Sequence, residues 1–391
     1  AAPTEPAAAG PIEDYRARVL AALGGSTADA AVVVSVEGVG RVVDLSGAVG
    51  LPPASTQKLY TVGAALARLG PDARLRTEVR RVGALHPDGT LAGDLVVVGG
   101  GDPTLDRKAL FALGHAVARA GVRRVTGALY IDDTRHDRAR SGPGWRPDWV
   151  PSESGPLSSF AVDRNGWRRD AAFLAEPAGP NGERARIGLG WGGVAFGGPT
   201  RLGAHPHGPG ELVTVRESPT LAELARGILK GSDNFASELL LKELGARVLG
   251  QGSTGGGIEA VNRLADELGV PRGFGADGSG LSPISRHTAA GEVAWLEAMD
   301  RLPSHVALRG ALAVACGDGT LRTRLCGTAA AGRMAAKTGT LPGVVTLAGY
   351  TTTTGAGRRV TFAVMLANAR NPGAARAAMD RAAAAIATFP G

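Results

Sequence analysis

The chain has 391 residues with 59 Gly and 24 Pro, together below the roughly 25–30 % that marks low-complexity disorder, and it shows no Gly-X-Y period. Its longer apolar stretches, such as Ala311 to Cys316, fall far short of the ~18 residues that read as a membrane span, so the chain reads as soluble, with a core spread over two or three domains. Lys and Arg number 43 against 36 acidic residues, a net charge of +7 that suits an anionic wall polymer or lipid, but the Arg-Arg pairs are scattered and no aromatic-interleaved basic platform for nucleic acid is present.

In chain order, Ala1 to Gly10 is a small-residue stretch with no basic or apolar leader region, which reads as the mature N-terminus of a secreted protein after signal removal. Ile12 to Leu23 has helical spacing, and Ala30 to Val36 with Arg41 to Leu45 predicts a β-hairpin across Glu37-Gly38-Val39-Gly40. Leu59, Val62, Leu66 and Leu69 predict a helix buried on one face. From Leu75 to about Val215 the texture changes to short strands with turn dipeptides, one helix near Asp106 to Ala120, a strand over Arg124 to Ile131, and then a Gly-, Pro- and Trp-rich run. This middle stretch reads as an insertion with its own small core.

Helices resume at Thr220 to Leu229, Phe235 to Leu249 and Gly257 to Leu268, the last two followed by the C-capping glycines Gly250 and Gly269. Strands follow at Arg333 to Thr340, Val344 to Thr353 and Arg359 to Asn368, and a helix closes the chain over Ala374 to Thr388. Two early and three late strands predict one antiparallel sheet between helices, an α/β domain of residues 1–74 and 216–391 interrupted by a smaller, β-rich domain of residues 75–215.

The two cysteines, Cys316 and Cys326, lie ten apart around a Gly-Asp-Gly turn, a spacing that suits a small disulfide in an oxidising compartment and leaves two buried thiols as the alternative. His205 and His207 form the one close histidine pair and read as loop, and no C-x-x-C or H-E-x-x-H occurs, so neither a metal nor a cofactor is expected. Gly273 to Gly278 fits G-x-G-x-x-G but leads into no helix, which argues against a dinucleotide site.

Three short motifs carry the chemistry: Ser55-Thr56-Gln57-Lys58, Ser232-Asp233-Asn234 and Lys337-Thr338-Gly339-Thr340. Two of only five lysines fall in them. Ser55 and Lys58 stand at i and i+3 where a helix starts, so both project from one face. A serine hydroxyl needs a neighbouring base, and a lysine desolvated beside another cation, here Lys337, becomes neutral enough to serve. Ser232-Asp233-Asn234 precedes a helix, where capping is the plain structural reading; the chemical one makes Ser232 a proton relay to a leaving amine and Asn234 an amide that holds a substrate carbonyl. Lys337 to Thr340 lies in a strand that can take an extended peptide along its edge, with Lys337, Thr338 and Thr340 supplying a cation and hydroxyls for a terminal carboxylate.

The set matches the S-x-x-K, S-D-N and K-T-G motifs of penicillin-binding proteins and class A β-lactamases. The chain resembles the D-alanyl-D-alanine carboxypeptidases of peptidase family S13, the penicillin-binding protein 4 or DacB type. Also similar to that family are Gly100 to Thr104, Pro143-Gly144-Trp145, Ala161 to Asn165, Asp277 to Ser282, and Asp318-Gly319-Thr320-Leu321. The resemblance implies a penicillin-recognising α/β fold, Ser55 as acyl-ester nucleophile, Lys58 as proton acceptor, Ser232 and Asn234 as second catalytic element, and Lys337, Thr338, Gly339 and Thr340 as the carboxylate site. It also implies an oxyanion hole from the backbone N–H groups of Ser55 and Thr340, peptidoglycan stem peptides as substrate, and covalent inhibition by β-lactams in the cell wall. The short interval between the first two motifs predicts that the family's third domain is reduced or absent. Pro283 stands where the family tends to carry an arginine, with Arg286 as a conceivable substitute. The alternatives are a serine β-lactamase, for which Glu176 to Asn181 lacks the expected loop pattern, and a noncatalytic wall-binding scaffold.

Overall fold

The computed structural model describes residues 10–24 and 28–390; the stretch read as a mature N-terminus lies, up to Ala9, outside the described residues. A six-stranded sheet forms from Asp29–Val36, Gly40–Leu45, Ala313–Val314, Ala335–Leu341, Val344–Thr352 and Arg359–Ala367. Asp29–Val36 lies between Gly40–Leu45 and Arg359–Ala367, and every pairing in this sheet is antiparallel. The expected five strands are there, with Ala313–Val314 added at the edge.

The apolar runs of these strands follow from burial on both faces. Alternate side chains point to opposite sides: Ala31, Val33, Ala363 and Met365 enter one core with the helices, while Val32, Val34, Phe362 and Val364 enter the other. The first core packs the helix Gln57–Leu69, through Leu59, Val62 and Leu66, against Leu229, Leu240, Leu244 and Trp295. The second is closed by the terminal helices Pro11–Ala21 and Pro372–Ile386, where the buried Tyr15 hydroxyl donates to Ile386 O at 3.0 Å.

Residues 76–217 build a second sheet of seven strands. The hairpin Arg76–Leu85 and Thr90–Val98 is flanked antiparallel by Glu211–Glu217 and parallel by Arg124–Val125 and Leu129–Asp132. The strand expected over Arg124 to Ile131 is therefore two, interrupted where Gly127 packs against the backbone of Gly93. Entry and exit are fastened together: Leu75 N donates to Ser218 Oγ and Ser218 N to Leu75 O, each at 2.9 Å.

One helix of this region, Ala178–Trp191, was hidden in the Gly-rich run. Its glycines serve contact with the helix Arg107–Arg119: a Cβ on Gly188 would stand 2.7 Å from Leu110 Cβ, so only glycine lets the axes approach. The helices Ala289–Asp300 and His305–Ala311 also lay in sequence to which no element had been assigned. Cys316 and Cys326 are joined in a disulfide, which resolves the two alternatives left by their spacing.

Gly188→Ala forces a methyl group into that helix contact and is expected to destabilise the protein by about 1–3 kcal/mol, measured by denaturant unfolding.

Candidate active site

The first motif sits on a single tight turn, Ala54–Thr56, that runs directly into the helix Gln57–Leu69. Ala54 takes φ +47°, a left-handed conformation costly for a residue with a Cβ and held only by strong surroundings. Those surroundings are visible. Pro53 O accepts the hydroxyl of Thr346 at 2.8 Å, and Thr56 Oγ1 lies 2.8 Å from Pro53 O and 2.5 Å from the buried Glu292 carboxylate. The turn is thus pinned from the sheet on one side and from the helix Ala289–Asp300 on the other.

One helical turn on from Ser55, Lys58 is fully buried and its ammonium donates three hydrogen bonds: to Ser55 Oγ at 3.0 Å, Asn234 Oδ1 at 2.8 Å and Ser279 O at 2.6 Å. Every N–H of the group is used. Burial draws its pKa down to about 8, against the pull of Asp277, Glu238, Asp233 and Glu153. Lys337, equally buried, donates to Ser232 Oγ at 3.0 Å and to Thr338 O at 2.6 Å. Burial first, and then the charge of Lys58, hold it well below the usual lysine range.

Ser232 closes the helix Leu221–Gly231 in a left-handed conformation, φ 58° and ψ 41°, and Asp233 caps the next helix, Asn234–Leu249, by accepting from Ala236 N at 2.9 Å. Asp233 thus does the capping, which leaves the side chains of Ser232 and Asn234 to Lys337 and Lys58. Arg164 grips Asp233 through both terminal nitrogens, at 2.6 and 2.5 Å, and Asn234 Nδ2 donates to Glu153 O at 3.2 Å.

The third motif occupies the strand Ala335–Leu341. Gly339 is needed for its passage: a Cβ there would meet Thr346 Oγ1 at 2.1 Å and both Pro53 O and Ser55 N at 2.9 Å. The strand therefore runs against the turn that carries Ser55. Thr338 Oγ1 donates to Thr320 Oγ1 at 2.8 Å, while Asp318, in the same stretch, pairs with Lys230 just before Ser232. Thr340, the last residue of the motif, lies exposed on the strand. Arg286 lies exposed and donates to Pro283 O and Ser285 O of its own loop through one terminal nitrogen.

Two acids lie behind Lys58: Glu238, which the sequence reading does not single out, and Asp277, which it names only as the start of a family-like stretch. Glu238 Oε1 accepts from Gly278 N and Ser279 N at 3.0 and 2.7 Å, and Asp277 accepts from Gly280 N, Ser282 N and the Trp145 indole. Together they fix the loop whose Ser279 carbonyl receives Lys58. Burial raises both carboxyl groups above the usual range, and Glu238 is raised further by the nearby charge of Asp277. The signal for Glu238 was its place four residues after Asn234, on the same helix face.

Two buried lysines, each on a serine hydroxyl, Lys58 on Ser55 and Lys337 on Ser232, stand on this sheet-and-helix frame and fit the class of penicillin-binding serine peptidases. The chain belongs to the D-Ala-D-Ala carboxypeptidase 3 (S13) family, whose model matches residues 17–187 and 170–386. It is 30 % identical to a D-alanyl-D-alanine carboxypeptidase of Actinomadura over 77 % of this chain and 70 % of that one. It is also 30 % identical to a carboxypeptidase of Mycobacterium tuberculosis over 97 % of this chain and 86 % of that one. Among solved structures it resembles penicillin binding protein 4 from Haemophilus influenzae, with a TM-score of 0.82 and 21 % identity over 93 % of this chain and 97 % of that one.

Because the charge of Glu238 favours the ammonium form of Lys58, Glu238→Gln is expected to lower the Lys58 pKa. The rate at which labelled penicillin acylates Ser55 is expected to rise with pH through a midpoint near 8 in the native protein and at lower pH in the variant.

Proposed function

We propose that the protein is a serine D-alanyl-D-alanine carboxypeptidase that trims peptidoglycan stem peptides through an acyl-enzyme. The observation that carries this reading is the 3.0 Å contact between Lys58 Nζ and Ser55 Oγ, with the buried Lys337, on Ser232, near enough to feel the charge of Lys58. In its neutral form Lys58 keeps two N–H groups for Asn234 and Ser279 and offers its lone pair to the Ser55 hydroxyl. Ser55 Oγ attacks the carbonyl of the penultimate D-alanine as its proton passes to Lys58. The oxygen that becomes negative lies between the backbone N–H groups of Ser55 and Thr340, a pairing favoured by the close approach at Gly339.

Collapse of the tetrahedral intermediate breaks the C–N bond, and the departing amine takes the proton that Lys58 gained, passed on through Ser232, itself bound to Lys337, which leaves Lys58 neutral again. Lys337, Thr338 and Thr340 hold the terminal carboxylate of the leaving D-alanine, and Asn234 holds an amide on the acyl side. Water then cleaves the ester, with Lys58 returning as base. A β-lactam presents a similar acyl carbonyl, but its leaving amine stays tethered and blocks that water, so penicillin acts as a slowly released inhibitor. Cleavage of cross-linked peptides uses the same steps.

Two features bear on the alternatives and the setting. Glu176, at the position of the loop considered for a deacylating base, is engaged with Arg140 and Arg138, which disfavours a β-lactamase. The disulfide suits an extracytoplasmic site of action. We also infer that residues 75–215 are an accessory domain inserted into a catalytic domain of residues 1–74 and 216–391; the separate apolar core around Val79, Leu95 and Leu110 and the paired bonds of Leu75 with Ser218 support it.

Intact mass after incubation with penicillin is expected to increase by one inhibitor in the native protein and to stay unchanged in Ser55→Ala. Lys58→Ala is expected to slow D-alanine release from a peptide ending in D-Ala-D-Ala by about 10²–10⁴-fold. Release by Ser55→Ala at the native rate would refute the mechanism.

A further inference from the structure

Beside the second motif lies a cavity of about 500 Å³ that the chemistry above does not use. Arg107, Arg164 and Arg184 line it with Glu153 and Asp163, three guanidiniums against two carboxyl groups. It adjoins the reacting groups through two neighbours of Asn234. Phe235, also in the lining, is the next residue in the chain, and Glu153 supplies the carbonyl that accepts from Asn234 Nδ2.

The arginines are not equivalent. Arg164 has both terminal nitrogens on Asp233 and braces the second motif. Arg184 lies flat over the Trp167 ring, 3.6 Å from its centre, and holds Asp163 through one terminal nitrogen. Arg107 is 71 % exposed and reaches the same Asp163 only at 3.5 Å. Two guanidiniums therefore share one carboxylate, leaving an excess positive charge at that end of the cavity. The same pair also lines an adjoining cavity of about 220 Å³ with Ile187 and Trp191, so both are approachable from two sides.

The wall between these arginines and Asp233 is unusually determined. Asp163, Arg164 and Asn165 take φ of 50°, 59° and 52°, three consecutive left-handed residues without a glycine. Asn165 donates to Pro156 O and accepts from Asn181, which holds the loop in place. Backbone of this kind persists only where its surroundings enforce it, and it gathers at sites that must present side chains in one arrangement.

We propose that this cavity is a remote substrate subsite in which Arg107 and Arg184 bind a free carboxylate of the stem peptide, on the acyl side of the scissile bond. The inference rests on the carboxypeptidase reading. A planar carboxylate matches the guanidinium fork and supplies the negative charge that Asp163 alone does not. Because such a contact forms in the ground state and persists in the transition state, it acts on KM more than on kcat.

The test compares two pentapeptides ending in D-Ala-D-Ala that differ at one γ-linked glutamate, whose α-carboxyl is free in one and a carboxamide in the other. The native protein is expected to favour the free acid by about tenfold in kcat/KM, mainly through KM, and to lose that preference progressively as salt is raised. In Arg107→Gln combined with Arg184→Gln the preference is expected to fall to within about twofold, and Arg107→Lys is expected to retain part of it. Arg107 is exposed, so Arg107→Gln alone serves if the double variant fails to fold; a partial loss of preference is then expected. Equal kcat/KM for the two peptides in the native protein, or a preference that survives in these Gln variants, overturns the subsite while leaving the carboxypeptidase reading intact. Release of D-alanine from neither peptide, with no penicillin adduct on Ser55, overturns both.

Discussion

An ammonium group removed from water must find an acceptor for each of its three N–H groups, and the site is organised around meeting that demand at Lys58. The acceptors come from the three-residue turn before its own helix, from the start of the helix Asn234–Leu249, and from the loop after Asp277, more than two hundred residues further along the chain than Ser55. Loss of any one leaves a buried donor unpaired, at about 1–3 kcal/mol. The same burial weakens the ammonium form, which a base at this position requires. Asp277 and Glu238 oppose that shift, while the charge of Lys58 adds to burial in holding Lys337 on the neighbouring strand well below the usual lysine range.

The sheet supplies the second constraint. Strand Ala335–Leu341 approaches the Ser55 turn so closely that only glycine fits at 339, and the next strand sends Thr346 to Pro53. Ser55 and the threonines of the third motif are thereby referred to one rigid surface, whereas Ser232 and Asn234 arrive from the helical side. The three motifs meet at the seam between these two layers.

Much of this was legible in the amino-acid sequence because the motifs combine rare residues with strong local patterns. Lysine is scarce here, so two lysines within short motifs stand out, and the β-branched runs that became the main sheet have few other readings. The helix Ala178–Trp191 was obscured because the glycines that let it touch its neighbour are the residues that ordinarily argue against a helix. Glu238 and Glu292 were obscured for another reason. Their roles lie in contacts with Ser279 N and Thr56 Oγ1, across 41 and 236 residues, and no local periodicity encodes a partner at that separation. Arg164 was visible only as part of a family-like stretch; its hold on Asp233 required the fold.

The helix Asn234–Leu249 is buried along nearly its whole first three turns, from Phe235 to Gly245. Ala236, Leu240 and Leu244 belong to the core beneath the six-stranded sheet, while Phe235 and Leu239 pack with Leu157 and Ala161 from the intervening region. Excising that region would strip an aromatic and an aliphatic side chain bare immediately beside Asn234. The intervening region therefore completes the packing of the helix that presents Asn234 to Lys58, and the setting of that contact is shared between the two sheets' stretches of chain.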